Sequence, residues 1–115
     1  MKSDIAFRSW KSAYYVRFVE ELISSVYAQN NMRCPTHLSV GQEMVPSVLS
    51  QFLTHKDLAV SSHRSHAHYL SKGGSLSNFF DELHGLPSGC SGGRGGSMHL
   101  TDRSVGFVGS TAIVG

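Results

Sequence analysis

The chain has 115 residues, 40% hydrophobic and 16% charged, with a net charge of +2. That allows one small globular domain at most, or a piece of a larger one, and it speaks against a disordered tail. The ten Lys and Arg residues are scattered, not gathered into the basic stripe of a nucleic-acid binder, and no apolar run approaches a membrane span.

Residues 5–29 read as one amphipathic helix, with Trp10, Tyr14, Phe18, Leu22 and Val26 recurring every four positions as a core-facing stripe. Tyr15, Val19 and Ile23 thicken it, and Asn30 and Asn31 are the cap candidates. Charges break up the first sixteen residues, which leaves no signal-peptide core, and a cytoplasmic protein is expected. A second helix is expected from "SVGQE", where Ser39 and Gln42 have capping-box spacing, to about Leu53. Pro46 means that this helix is kinked or starts nearer the proline. "LAVSS", residues 58–62, reads as a buried strand, "HAHYLSKGG" as a short helix closed by Gly73, and "LSNFFDELHG" as a helix after Ser75 that stops at Gly85. Leu76, Phe79, Phe80 and Leu83 face inward on it. A glycine-rich loop, "LPSGCSGGRGGSMHL", precedes "VGFVGSTAIVG", a strand running into a turn. The closing "AIVG" is apolar and uncapped, which reads as the start of an element rather than the end of a protein.

Cys34 and Cys90 are far apart and form no C-x-x-C pair, so free thiols are expected. The glycine loop fits neither nucleotide motif. Counted from Gly89, a phosphate-binding Walker loop puts its Gly-Lys at Arg94, and a dinucleotide fingerprint needs glycine where Met98 sits. Two readings stay open: a close-packed loop, or backbone contact to a ligand or partner subunit.

Seven histidines are many for this length. His63, His66 and His68 cluster in "SSHRSHAHYLSKGG". As metal ligands they diverge, since His63 and His68 are five positions apart on a continuous helix, and no fourth ligand has characteristic spacing. They could equally be satisfied core or loop histidines. A third reading rests on Arg64, at the exit of a strand just before a helix, where open α/β folds place ligand sites. Its planar fork suits phosphate oxygens, and neighbouring imidazoles can add hydrogen bonds.

"HLSVGQE", "SSHRSHAHYLSKGG", "GCSGGRGGSMHL" and "GFVGSTAIVG", in that order and spacing, resemble the alpha subunit of thiamine-diphosphate-dependent 2-oxo acid dehydrogenases. The family includes the decarboxylating component of pyruvate dehydrogenase, its branched-chain relatives and acetoin dehydrogenase. The likeness covers essentially the whole chain, and "GRGGSMHL" is characteristic of the pyruvate and acetoin branches. It implies an α/β chain: the N-terminal, mainly helical portion of a thiamine diphosphate-binding fold, its parallel sheet incomplete, with residues 1–115 a truncated part of the alpha-subunit domain. The implied activity is oxidative decarboxylation of a pyruvate-like 2-oxo acid with acyl transfer to a lipoyl group. The implied partners are a beta subunit, in a heterotetramer, and a lipoyl acyltransferase, with neither nucleic acid nor membrane.

By this resemblance His37 is the active-site histidine before the "GQE" helix, and Arg64 pairs with the cofactor diphosphate. His63 stands where a tyrosine is commoner, with an imidazole replacing the phenol as donor. Ala112 and Val114 bond the aminopyrimidine through their backbones. On this basis the histidine cluster is expected to form an anion corner around Arg64. The family holds magnesium through a Gly-Asp-Gly motif and a downstream Asn. None of Asp4, Asp57, Asp81 and Asp102 lies between glycines, so no metal ligand is assigned to this chain and Mg2+ is expected to be held from outside it. The glutamate that activates the aminopyrimidine belongs to the beta subunit. The chain alone is therefore expected to be inactive, with a non-catalytic interaction module as the alternative.

Overall fold

The structure is a computed structural model that describes residues 2–114. Helix α1, Lys2–Tyr27, is followed by α2, Met44–Leu49, strand β1, Ala59–Ser61, helices α3, His66–Ser71, and α4, Leu76–Leu83, and strand β2, Phe107–Ser110. β1 and β2 pair in parallel, Val60 against Gly109 and Ser61 against Ser110, with α3, α4 and the glycine loop making the crossover. The result is mixed helix with a small parallel sheet, in keeping with an α/β chain.

α1 runs close to the expected span and ends before Asn30, which takes the left-handed conformation at φ 59°. Its expected inner face is wrong. Val16, Val19 and Ile23 are buried with Ser9 and Glu20, whereas Trp10, Tyr14 and Phe18 are 56%, 61% and 60% exposed and Leu22 is also exposed. The helix carries two apolar stripes, and the compact aliphatic one packs on α2 and α3. The Glu20 carboxylate on that face disguises it, because in sequence a charge marks the solvent side.

α2 starts at Met44, which resolves the proline question. Pro46 lies in the first turn, where its missing N–H costs no intrahelical bond. The capping box does not form: Glu43 is the N-cap residue, with no side-chain cap bond, and Ser39 lies in the preceding turn. β1 falls where expected, but Val60 is 75% exposed and Leu58 is exposed too, so the expectation of a buried strand fails. β1 has a strand on one edge only, and its outer side chains are left uncovered among the described residues.

α3 and α4 stop at Gly73 and Gly85 as expected, both glycines with positive φ. Ser75 caps α4 by accepting the Asn78 N–H at 3.2 Å. Phe79 and Leu83 are buried and Leu76 and Phe80 pack against the core. Tyr69 makes edge contacts with Phe79 and Phe107, ring centroids 5.7 and 5.6 Å apart. Its hydroxyl donates to Ser75 O at 2.7 Å, and burial pushes its ionisation well up. The buried Lys72 Nζ donates to Thr54 O and Val105 O, both at 2.6 Å, tying the entry to β1 to the segment before β2. Gly115, the last residue of the apolar "AIVG" stretch, lies outside the described residues.

Candidate functional site

Two parallel strands send their following segments off the same end. After β1 come His63 and Arg64; after β2 come Ala112 and Val114. Thr111 N donates to Ser61 O at 3.3 Å, which keeps the two exits adjacent. Segment 37–38 docks on the first exit: the His37 and His63 rings meet edge-on with centroids 5.3 Å apart, and an Arg64 guanidinium nitrogen donates to Leu38 O. His37, His63 and Arg64 are thus brought together, each half-buried, while Ala112 and Val114 are exposed beside them.

The histidines do not act as one cluster. His66 is fully buried; its Nδ1 lies 2.8 Å from Glu20 Oε1 and its Nε2 lies 2.6 Å from Ser97 Oγ. The Ser97 hydroxyl oxygen in turn accepts the His37 N–H at 3.2 Å. With Glu20 ionised, Nδ1 donates to it, Nε2 accepts from Ser97, and a Ser97 lone pair accepts from His37. His66 is therefore spent on joining α1, α3 and the glycine loop, and cannot donate to a ligand. His68 is half-buried and desolvation pushes its imidazole down, so it is neutral near pH 7. A neutral imidazole still carries one N–H donor, so His68 keeps that capacity; His63, next to Arg64, has its Nδ1 buried without a hydrogen-bond partner.

The glycine loop resolves in favour of close packing. The Glu82 carboxylate accepts four backbone N–H groups: Ser91 at 2.5 Å and Gly93 at 3.0 Å on Oε1, Gly95 at 2.8 Å and Gly96 at 2.9 Å on Oε2. Burial raises this carboxyl, but the four amides together outweigh burial and leave it below the ordinary glutamate range. Those amides are consumed internally and offer nothing to a phosphate. Gly96, at φ 67°, packs so closely that an added Cβ would lie 2.6 Å from Cys34 Cβ.

Two anchors frame the corner. Glu43, the glutamate of "GQE", takes a forked hydrogen bond from Arg17 of α1 and the Gly41 N–H at 3.0 Å. The Arg17 bond, opposed by burial, leaves its carboxyl lowered. Ser110, the last residue of β2, donates to Met98 O at 3.0 Å and accepts from Leu100 N at 2.9 Å and from the Ser65 hydroxyl at 3.1 Å. Sequence reasoning missed Glu20, Glu43, Glu82 and Ser97. The one available signal was Glu82 in the last turn of a short helix, where the helix dipole disfavours a carboxylate unless donors meet it.

The corner suits an anion. A guanidinium has five N–H donors and the contact with Leu38 uses one nitrogen, so Arg64 keeps donors that an anion could accept from. A magnesium ion is not served in the same way. Among the described residues, no group of three or more His, Cys, Asp or Glu could hold a metal. Asp57, Asp81 and Asp102 bond to Thr54, Ser88 and Ser104.

The corner lies at the carboxyl ends of parallel strands, where open α/β folds place ligand sites. The family described as Dehydrogenase E1 component matches residues 11–115, and the chain belongs to it. Pyruvate dehydrogenase E1 component subunit alpha-1, mitochondrial, of Arabidopsis thaliana is 39% identical over 100 residues, 87% of this chain and 26% of the relative. The E1 alpha subunit of Rickettsia bellii is 37% identical over 94% of this chain and 33% of its own length. That of Solanum tuberosum, mitochondrial, is 38% identical over 92% and 27%. The chain thus spans about a quarter to a third of the relatives it matches.

Proposed function

We propose that the chain supplies the diphosphate side of a thiamine diphosphate site in a 2-oxo acid dehydrogenase alpha subunit, as the N-terminal portion of its thiamine diphosphate-binding fold. The assembled enzyme decarboxylates a pyruvate-like 2-oxo acid and passes the acyl group to a lipoyl arm. The observation that carries this reading is the corner itself: two parallel strand exits, 63–64 and 112–114, with His37 docked across the first.

Bound thiamine diphosphate supplies the carbon nucleophile and electron sink that decarboxylation requires. Arg64 holds the diphosphate oxygens, and its bond to Leu38 O fixes the fork before ligand arrives. His63 adds a donor through its half-buried imidazole, which meets the His37 ring edge-on. His37 faces the reacting side, its backbone pinned by Ser97. The backbone groups of Ala112 and Val114 orient the aminopyrimidine, for which their side chains matter little. Mg2+ is held by residues outside this chain, and the beta subunit supplies the carboxylate that activates the cofactor. A lipoyl acyltransferase takes the product. We place the protein in the cytoplasm; among the described residues no helix is long and apolar enough to cross a membrane.

The test measures release of labelled carbon dioxide from pyruvate with thiamine diphosphate and Mg2+. The 115-residue chain alone gives no turnover. Fused to the remainder of an alpha subunit and co-expressed with a beta subunit, it turns over, and Arg64→Gln raises the KM for thiamine diphosphate at least tenfold. An unchanged KM in that variant refutes the assignment. Acetoin offered in place of pyruvate, with a dye as electron acceptor, separates the acetoin dehydrogenase reading. Failure of every fused assembly to turn over either substrate would favour an interaction module.

A further inference from the structure

The aromatic stripe of α1 is turned away from the core and plays no part in the corner. Phe7, Trp10, Tyr14 and Phe18 are each more than half exposed, and Leu22 extends the line. Four aromatic side chains exposed to this degree present on the order of 400 Å² of apolar surface, as much as the largest patch of a typical monomer. The stripe is also pre-ordered: Phe7 and Trp10 lie 6.2 Å apart and Trp10 and Tyr14 stack at 5.5 Å. Little side-chain entropy remains to be lost when it is covered.

The order of residues says what covers it. At 100° per residue, Phe7, Trp10, Lys11, Tyr14, Phe18, Glu21 and Leu22 share the outer half of the helix. Lys11 and Glu21, both exposed, make no hydrogen bond or ion pair among the described residues. Reversing the helix on itself about Val16 sets Tyr14 opposite Phe18, Trp10 opposite Leu22 and Lys11 opposite Glu21. Trp10, Tyr14, Phe18 and Leu22 then each meet an apolar residue, Phe7 falls opposite Ser25, and the two charges meet with opposite sign. The reverse pairing is identical, as two-fold symmetry requires. A parallel pairing in register would set Lys11 against Lys11 and Glu21 against Glu21.

We propose that the α1 stripe is a homodimer surface, on which a second copy of this chain packs its α1 antiparallel with Lys11 of each copy across from Glu21 of the other. Sedimentation equilibrium of the 115-residue chain then gives a dimer that dissociates on dilution. Trp10→Glu and Phe18→Glu each weaken it at least tenfold while far-UV circular dichroism stays unchanged, because neither side chain touches the core. Lys11→Glu and Glu21→Lys each weaken it about threefold, a magnitude suited to an exposed pair, and the double reversal restores it. A monomer at every concentration overturns the proposal, and so does a dimer indifferent to Trp10→Glu and Phe18→Glu. Charge reversals that weaken without mutual rescue overturn it too, since the stripe would then serve another occupant, such as further chain of the kind the longer relatives possess.

Discussion

Replacing Glu82 by glutamine changes one atom and tests the reasoning about the glycine loop. The carboxylate accepts four amides, two on each oxygen. The amide keeps one oxygen, and so one pair, and turns an NH2 toward the other pair of donors. Hydrogen bonds to a charged acceptor contribute about 1.5–3 kcal/mol each, and a buried donor left without a partner costs about 1–3 kcal/mol. Losing two and weakening two comes to about 3–6 kcal/mol, a large share of the 5–15 kcal/mol typical of a folded domain. Urea unfolding reads it: at a slope of about 1.5 kcal/mol per molar, the midpoint falls by about 2–4 M. The pH dependence is a second reading. Glu82 is held below its ordinary value in the fold, so the folded state binds fewer protons than the unfolded chain around pH 4. Its contribution is complete above about pH 4.3 and is lost as pH falls through the folded value. The gap between wild type and Glu82→Gln therefore closes in acid. A loss under about 1 kcal/mol at neutral pH, or a gap that stays constant down to pH 3, would refute the carboxylate cradle and leave packing alone to hold the loop.

Other perturbations follow the same logic. Gly96→Ala forces a Cβ against Cys34 at a left-handed φ, and thermal unfolding should show a loss of about 2–3 kcal/mol. His66→Ala leaves the buried Glu20 without its partner and should cost about 3–5 kcal/mol in the same assay, much of it recovered when Glu20→Leu is added. Lys72→Met frees two carbonyls from one ammonium and should lower the urea midpoint by about 1–3 M. His68, pushed down by burial, opposes folding once protonated: stability is full above about pH 6.5 and falls as pH drops toward the folded value. His68→Gln should flatten that part of the pH–stability curve, which urea titration between pH 5 and 7.5 would reveal.

The helices of this chain are legible because their ends are written in local chemistry. Ser75 caps, Gly73 and Gly85 stop, and Asn30 takes the left-handed turn, each within a few residues of the element it bounds. Faces are less legible, because they depend on partners far along the chain. Glu20 lies inward because His66, 46 positions on, supplies a donor, and no window of sequence around Glu20 contains that fact. The aromatic stripe attracted the inward reading for the same reason: size and period mark a face as apolar, not as covered. The corner was half legible. Arg64 and His37 could be placed by motif, and the strand exit by the apolar run before it. That His66 is spent on Glu20 and Ser97, while Glu82 silences the glycine amides, is set by contacts that only the folded chain makes.

The Glu82 cradle also shapes how the corner moves in time. Four amides share two oxygens, so swinging the carboxylate out strips all four at once. Amide hydrogen exchange at Ser91, Gly93, Gly95 and Gly96 should then proceed at one common rate, as a single latch opening. Ser97 and Met98 follow directly and fasten His37 and Ser110. The wall beside His37 therefore has two settings, seated or released, and does not fray residue by residue.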